Sequence, residues 1–356
     1  MSALADILKR RIAQNGPIPL ADYMAECLLH PEHGYYTTRA PFGTKGDFIT
    51  APEISQMFGE LLGLCLAQSW LDQGAPAPFT LAEVGPGRGT LMADVLRATK
   101  SVPGFHAAAQ ITLIEASPRL KQVQRDTLAA YHITHCPDLA ALPEQPLFLL
   151  ANEFFDALPI RQFTRDAQGW RETMVGMDGD ALALGLSAPA PIRALDHRLS
   201  DTSAGDIVEV CPAAAGHISA LSQRIVAHGG VALIFDYGGW HSLGDTFQAL
   251  EDHHPVDPLA RPGHADLTAH VDFEPLAVQA RREGAQASAL MTQGEILGHL
   301  GIVARAQALA MKLQGDALEA HVAAFNRLTS PQEMGSLFKT IALFPQHAPC
   351  PAGYDA

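Results

Sequence analysis

One decapeptide constrains this chain more than any other segment: Ala82-Glu83-Val84-Gly85-Pro86-Gly87-Arg88-Gly89-Thr90-Leu91. The apolar run Phe79–Val84 predicts a buried strand, and Thr90–Thr99 predicts a helix. A strand that enters a glycine turn and leaves it as a helix opens a βα unit. Glycine at 85, 87 and 89 lets the backbone reach φ > 0 and lets a ligand approach the main chain closely. The helix N-terminus turns free N–H groups toward that ligand. In doubly wound sheets such a crevice lies at the carboxyl ends of the strands.

The spacing narrows the ligand. The glycines fall as G-x-G-x-G, whereas the dinucleotide fingerprint G-x-G-x-x-G wants a small residue at 90, where Thr90 stands. Glu83, two residues before the first glycine, would repel a pyrophosphate. It suits the ammonium and sulfonium of S-adenosyl-L-methionine. Glu115 ends the next predicted strand, where a carboxylate can grip ribose hydroxyls. The alternative is a plain glycine-rich βα turn that holds no cofactor.

The rest of the chain continues the alternation. Gln110–Glu115 predicts a strand and Pro118–Ala130 a helix. His132–His135, Leu147–Ala151 and Val231–Phe235 predict further strands, so parallel βαβ units in an α/β fold are expected. Ahead of the glycine loop, residues 2–14 predict a short helix ended by Asn15-Gly16-Pro17. Leu20–Leu29 predicts a second helix and Ile54–Gln73 a long apolar-periodic one. Arg161–Leu186 predicts a β-hairpin insertion around Met177-Asp178-Gly179-Asp180. Helices are expected near Phe273–Glu283, Gln293–Leu300 and Gly315–Leu328, and Leu337–Leu343 is expected as a last edge strand. The expected organisation is an N-terminal helical region over 1–75 and a cofactor-binding core over 76–245, with its insertion near 161–190. A C-terminal region of loop, helices and final strand covers 246–356.

Composition excludes several classes. Of 356 residues, 47% are hydrophobic and 17% charged, which supplies a full core and argues against global disorder. The formal net charge is −14 and no basic run exceeds Lys9-Arg10-Arg11, so no nucleic-acid partner is expected. The five cysteines include no C-x-x-C pair and fit a reducing compartment better than a disulfide framework. The N-terminus shows no apolar signal core and no run is long enough for a bilayer. A cytoplasmic protein with no integral membrane segment is expected.

The fourth predicted strand ends in Leu149-Leu150-Ala151-Asn152-Glu153-Phe154-Phe155-Asp156-Ala157-Leu158-Pro159. Asn152, Glu153 and Asp156 leave an apolar strand at the place where methyl transfer would occur, and they are the candidate catalytic residues. Asn152 also adjoins the cofactor. Alternatively, Asp156 caps a turn and Asn152 satisfies backbone groups. Methyl transfer is an in-line attack of a lone pair on the sulfonium methyl, so the protein supplies alignment and electrostatics. A guanidine acceptor would use carboxylates twice, for bidentate binding of the planar cation and for the charge that moves as the bond forms. Gly46–Glu53 and Asp266–Phe273 are expected as pocket walls or lids. For Thr50 and Asp272 the alternative is a helix N-cap. The cluster His253, His254, Asp257, His264, Asp266, His270 and Asp272 matches no zinc spacing, and no metal is expected.

Taken together, Gly34-Tyr35-Tyr36, Gly46-Asp47-Phe48-Ile49-Thr50-Ala51-Pro52-Glu53-Ile54-Ser55, the glycine loop, Asn152–Pro159, Asp236-Tyr237-Gly238, Asp257-Pro258-Leu259, Asp266–Phe273 and Thr292-Gln293-Gly294 resemble the MidA family of class I methyltransferases. The resemblance runs from about Gly16 to the last thirty or so residues. It implies a Rossmann-like, mostly parallel seven-stranded sheet flanked by helices. It implies that Glu83, Gly85, Gly87 and Gly89 line S-adenosyl-L-methionine with Glu115 on its ribose, and that Phe48, Thr50 and Asn152 adjoin it. It implies substrate contacts from Asp266, Thr268, His270 and Asp272. The implied acceptor is an arginine of a protein, on a subunit of respiratory complex I or a bacterial equivalent. A non-catalytic assembly factor that keeps the cofactor fold, a small-molecule methyltransferase and a homodimer are left open.

Overall fold

The computed structural model describes residues 2–38 and 50–355. Phe48 and the first half of the Gly46–Glu53 segment lie outside the described residues, whereas Thr50–Glu53 lies within them.

Among the described residues, seven strands form the continuous path of the main sheet: β1 Phe79–Val84, β2 Ala109–Ile114, β3 Ile133–Cys136, β4 Leu147–Asn152, β5 Gly230–Gly239, β6 Ala285–Ala287 and β7 Phe338–Pro345. Their order is β6-β7-β5-β4-β1-β2-β3. Strands β3, β2, β1, β4 and β5 run parallel, while β7 is antiparallel to both β5 and β6. The central strands are buried on both sides, which explains why they appear in the sequence as pure apolar runs rather than alternations. Alternate residues nevertheless serve different layers. Phe148, Leu150, Leu233 and Phe235 pack into the cluster that includes Phe58, Leu62 and Val95. Leu149, Ala151, Ala232 and Ile234 pack against Ile218, Leu221 and Leu276 on the opposite face.

The helices fall into place accordingly. Among them are α1 Ala3–Asn15, α2 Leu20–Leu29, α3 Gln56–Asp72, α4 Thr90–Thr99, α5 Pro118–Thr127, α6 Pro212–His228 and α7 Phe273–Arg282. Helix α3 crosses α4 very closely, because a Cβ at Gly59 would lie 2.6 Å from Cβ of Asp94 and one at Gly63 2.9 Å from Cα of Val95. This contact anchors the N-terminal region beside the glycine loop. Glu60 reinforces it, with its carboxylate bound by Arg97 at 3.1 Å and by Arg305 at 2.7 Å. No helix among the described residues is long and apolar enough to cross a membrane.

Two expectations need correction. The insertion is larger than a hairpin. Arg161–Asp166, Gly169–Asp178 and Ala181–Leu186 form a meander that Ile207–Val210 and the N-terminal Ile18–Pro19 extend to a five-stranded sheet. A two-residue strand carries no periodicity, and its pairing with Met174 and Val175 is purely tertiary. The last strand is not an edge. β7 lies between β5 and the three-residue β6, which was too short to show a pattern.

Candidate cofactor and acceptor site

The glycine turn follows β1 directly. Gly85, Gly87 and Gly89 have φ of 62°, 49° and 81°, left-handed values that favour glycine. A Cβ at Gly85 would also stand 3.3 Å from the Phe154 ring. Glu83 is buried beneath the turn, and its Oε2 has no hydrogen-bond partner among the described residues. Burial pushes its acid well above the usual carboxylate range, with Asp94 and Glu115 adding to the rise and the Met92 backbone opposing it. An acceptor oxygen left bare in a closed site is costly unless a donor arrives to meet it.

Glu115 follows β2. Its Oε1 accepts from the Ser117 N–H at 2.7 Å and its Oε2 from the Gln124 side chain at 3.1 Å. The same Gln124 nitrogen donates to the Gly87 carbonyl at 2.8 Å, so one amide on α5 ties Glu115 to the glycine turn. Burial raises the Glu115 acid, while Ser117 and Gln124 oppose that rise.

Two cavities flank the turn. A small one of about 40 Å³ lies among Glu83, Gly85, Gly87, Thr90, Asn152 and Glu153, and Thr50 also lines it. A larger one of about 320 Å³ takes in Gly85, Gly87, Glu115, Asp138, Phe154 and His217. Gly89 lines neither. It precedes α4 in a left-handed conformation and faces Gln124 and Leu128. A bare carboxylate oxygen, a glycine cradle and a held carboxylate over an apolar slot fit the cationic amino-acid end, the ribose and the base of S-adenosyl-L-methionine.

A third cavity, of about 500 Å³, opens on the other side of Glu153 and is also lined by Thr50, Tyr36, Asp156, Asp266 and His270. Glu153 therefore faces all three spaces. It follows β4 with φ of 51°, an uncommon conformation for a residue with a Cβ. Its Oε1 accepts from the Asn152 side chain at 3.0 Å and from the Ala51 N–H at 3.3 Å. Burial pushes its pKa up to about 7, against the opposing effects of those two donors and of Arg327. Asn152 Oδ1 and Asp156 Oδ1 are buried without partners among the described residues. Burial pushes the Asp156 acid well up, and Asp236, Glu153 and Asp266 push it further. Asp266 accepts from the Tyr36 hydroxyl at 2.8 and 3.0 Å.

The remaining candidates separate. Thr268 is buried beside this wall without lining the cavity. Asp272 lines a different cavity of about 190 Å³, near Arg198 and Glu209, and among the described residues only His270 lines both. Thr50 and Asp272 occupy the N-cap positions of Ala51–Ile54 and α7, but neither side chain makes a capping bond. Among the described residues no cluster of three or more side chains could hold a metal. Sequence reasoning missed Gln124, Tyr36 and Asp236 as site residues. Tyr36 and Asp236 stand in quoted motifs, whereas nothing in α5 distinguishes Gln124.

Glu83 makes one prediction immediately. A cationic ligand against it will lower its raised pKa, so binding will release a proton and affinity will rise with pH. Calorimetric titrations with S-adenosyl-L-methionine in phosphate and in Tris should give enthalpies that differ by the buffer ionisation. Equal enthalpies would remove Glu83 as the group that meets the cation.

A sheet of this order, with a glycine turn after its first strand and an acid at the end of its second, defines a Rossmann-like methyltransferase that uses S-adenosyl-L-methionine. The family model for S-adenosyl-L-methionine-dependent methyltransferases matches residues 61–291. Human mitochondrial protein arginine methyltransferase NDUFAF7 is 38% identical, over 95% of this chain and 82% of its own. The Drosophila melanogaster homologue is 35% identical, over 96% of this chain and 85% of its own. A Burkholderia thailandensis protein crystallised with S-adenosyl-homocysteine superposes with a TM-score of 0.86 at 28% identity, over 99% of this chain and 94% of that one. The chain belongs to the MidA-like family of S-adenosyl-L-methionine-dependent methyltransferases.

Proposed function

We propose that the protein methylates an arginine of a protein substrate, and that the substrate is a subunit of respiratory complex I or its bacterial counterpart. The observation that carries the first part is the position of Glu153, where the cofactor cavities meet an acceptor cavity that also holds Asp156 and Asp266. Carboxylates grouped at that junction suit a planar cation. The printed names of the relatives support the same reading.

When bound, S-adenosyl-L-methionine supplies an electrophilic sulfonium methyl. In this reading Glu83 takes the ammonium end and Glu115 the ribose hydroxyls. Gly85 and Gly87 leave room along the turn, Gly89 starts α4, and Asn152 adjoins the amino-acid end. Glu153 and Asp156 orient the guanidinium and hold its charge while a nitrogen lone pair aligns with the methyl. Asp266, held by Tyr36, extends the acidic wall, and His270 lies at its rim. Thr268 supports that wall from behind, and Asp272 lies apart from it.

The test is incubation of the purified chain with tritiated S-adenosyl-L-methionine and purified complex I subunits, followed by acid hydrolysis. Tritium is expected in methylarginine. Label in another amino acid, or none while cofactor binding persists, would sink the arginine reading.

A further inference from the structure

Asp236 lies within β5 with 0% of its surface exposed and lines none of the three cavities that meet at Glu153. Its Oδ2 accepts from the backbone N–H groups of Phe155 at 2.9 Å and Asp156 at 3.2 Å. Its Oδ1 accepts from the Tyr237 N–H at 3.0 Å. One residue earlier, the Phe235 carbonyl accepts from the Glu153 N–H at 2.9 Å. The end of β5 thus grips the turn after β4 at residues 153, 155 and 156.

That turn contains the left-handed Glu153. Such a conformation is unfavourable for a residue with a Cβ and persists only where the surroundings fix it. The carboxylate that helps to fix it is itself unfavourable in place, since it is buried beside Glu153 and Asp156. A neutral acceptor would satisfy an ordinary turn at less cost. What a carboxylate adds is two oxygens at a fixed angle, one for the turn and one for its own strand.

We propose that Asp236 is a positioning residue for methyl transfer: by holding the Phe155 and Asp156 amides it sets the Glu153 carboxylate at the junction of the cofactor and acceptor cavities. The proposal rests on the role given to Glu153 above. Asp236 touches neither cofactor nor acceptor, and it acts through the turn.

The variant Asp236→Asn keeps the side-chain shape but replaces one acceptor oxygen by a donor. Four measurements on the full chain test it. Amide hydrogen exchange at Phe155 and Asp156 should accelerate by about tenfold, while calorimetric affinity for S-adenosyl-homocysteine stays within about threefold. Both are read without any acceptor, so they stand even if the arginine reading fails. With tritiated S-adenosyl-L-methionine and complex I subunits, kcat should fall roughly 100-fold with KM little changed, as expected for a misplaced group. In the Glu153→Gln background the same change should cost less than about twofold, because the residue it positions is already gone. Unchanged exchange at the two amides, or a full loss of rate in the Glu153→Gln background, overturns the proposal. Loss of S-adenosyl-homocysteine binding or of cooperative melting in Asp236→Asn also overturns it, since Asp236 would then serve the fold as a whole.

Discussion

Replacing Gly87 by valine is expected to abolish cofactor binding, weakening the affinity for S-adenosyl-homocysteine by about 100-fold or more. Three costs combine at this position. Gly87 has φ of 49°, where a β-branched residue is strained. It lines both cofactor cavities, so an isopropyl group would take space that the ligand needs. Its carbonyl also accepts from Gln124, the side chain that bonds Glu115, so displacement of the turn disturbs the carboxylate proposed for the ribose as well. Calorimetry with S-adenosyl-homocysteine, with NAD as control ligand, measures the effect. Binding within threefold of the parent would mean that the ligand does not lie along this turn.

Glu153→Gln is expected to lower kcat/KM by about 1000-fold, since in the proposed role it removes the charge that faces the reacting cation. The pH profile gives an independent reading of the same residue. The carboxylate form is the one that receives a guanidinium. Its pKa in the free protein lies at about 7. The rate should therefore fall as pH drops through 7, and the limb should vanish in Glu153→Gln. In kcat, which reports the complex, the limb should lie at lower pH, because the neighbouring cations favour the ionised acid. A profile flat from pH 6 to 8, or one unchanged in the variant, would show that another group carries the rate.

Much of this site was legible before any tertiary structure was considered, because it is built at strand ends. An apolar run followed by Gly85-Pro86-Gly87-Arg88-Gly89 is a strand and a turn wherever it lies in the fold. Glu83 and Glu115 then stand at the ends of their strands by counting alone. Asn152, Glu153 and Asp156 were found in the same way, as polar residues at the exit of an apolar run. Helices α2, α3 and α4 followed from periodicity and from the breakers beside them. These are local properties, set by backbone sterics and by the spacing of apolar side chains.

Other features depended on distant partners. The insertion became a five-stranded sheet only because Ile18–Pro19 crosses to meet Met174 and Val175. Strand β7 lost its edge to β6, whose three residues have no detectable pattern. Asp272 shares a segment with Asp266, but it lines another cavity, because Val271 and Asp272 pair with Gly238 and Gly239 of β5 and Asp272 stands at the N-terminus of α7.

The sequence by itself determined the strand–turn–helix proposed to cradle the cofactor and the acids that leave β2 and β4, since each arises from residues adjacent in the chain. Only the tertiary structure decided which of those acids share a space, that Gln124 links Glu115 to Gly87, and that Asp236 stands behind Glu153. Hydrogen bonds join residues 37 and 81 positions apart here, as with Gln124 and Gly87 or Asp236 and Phe155. No periodicity records such pairs, because they are chosen by how the packed layers bring the ends of β1, β4 and β5 together.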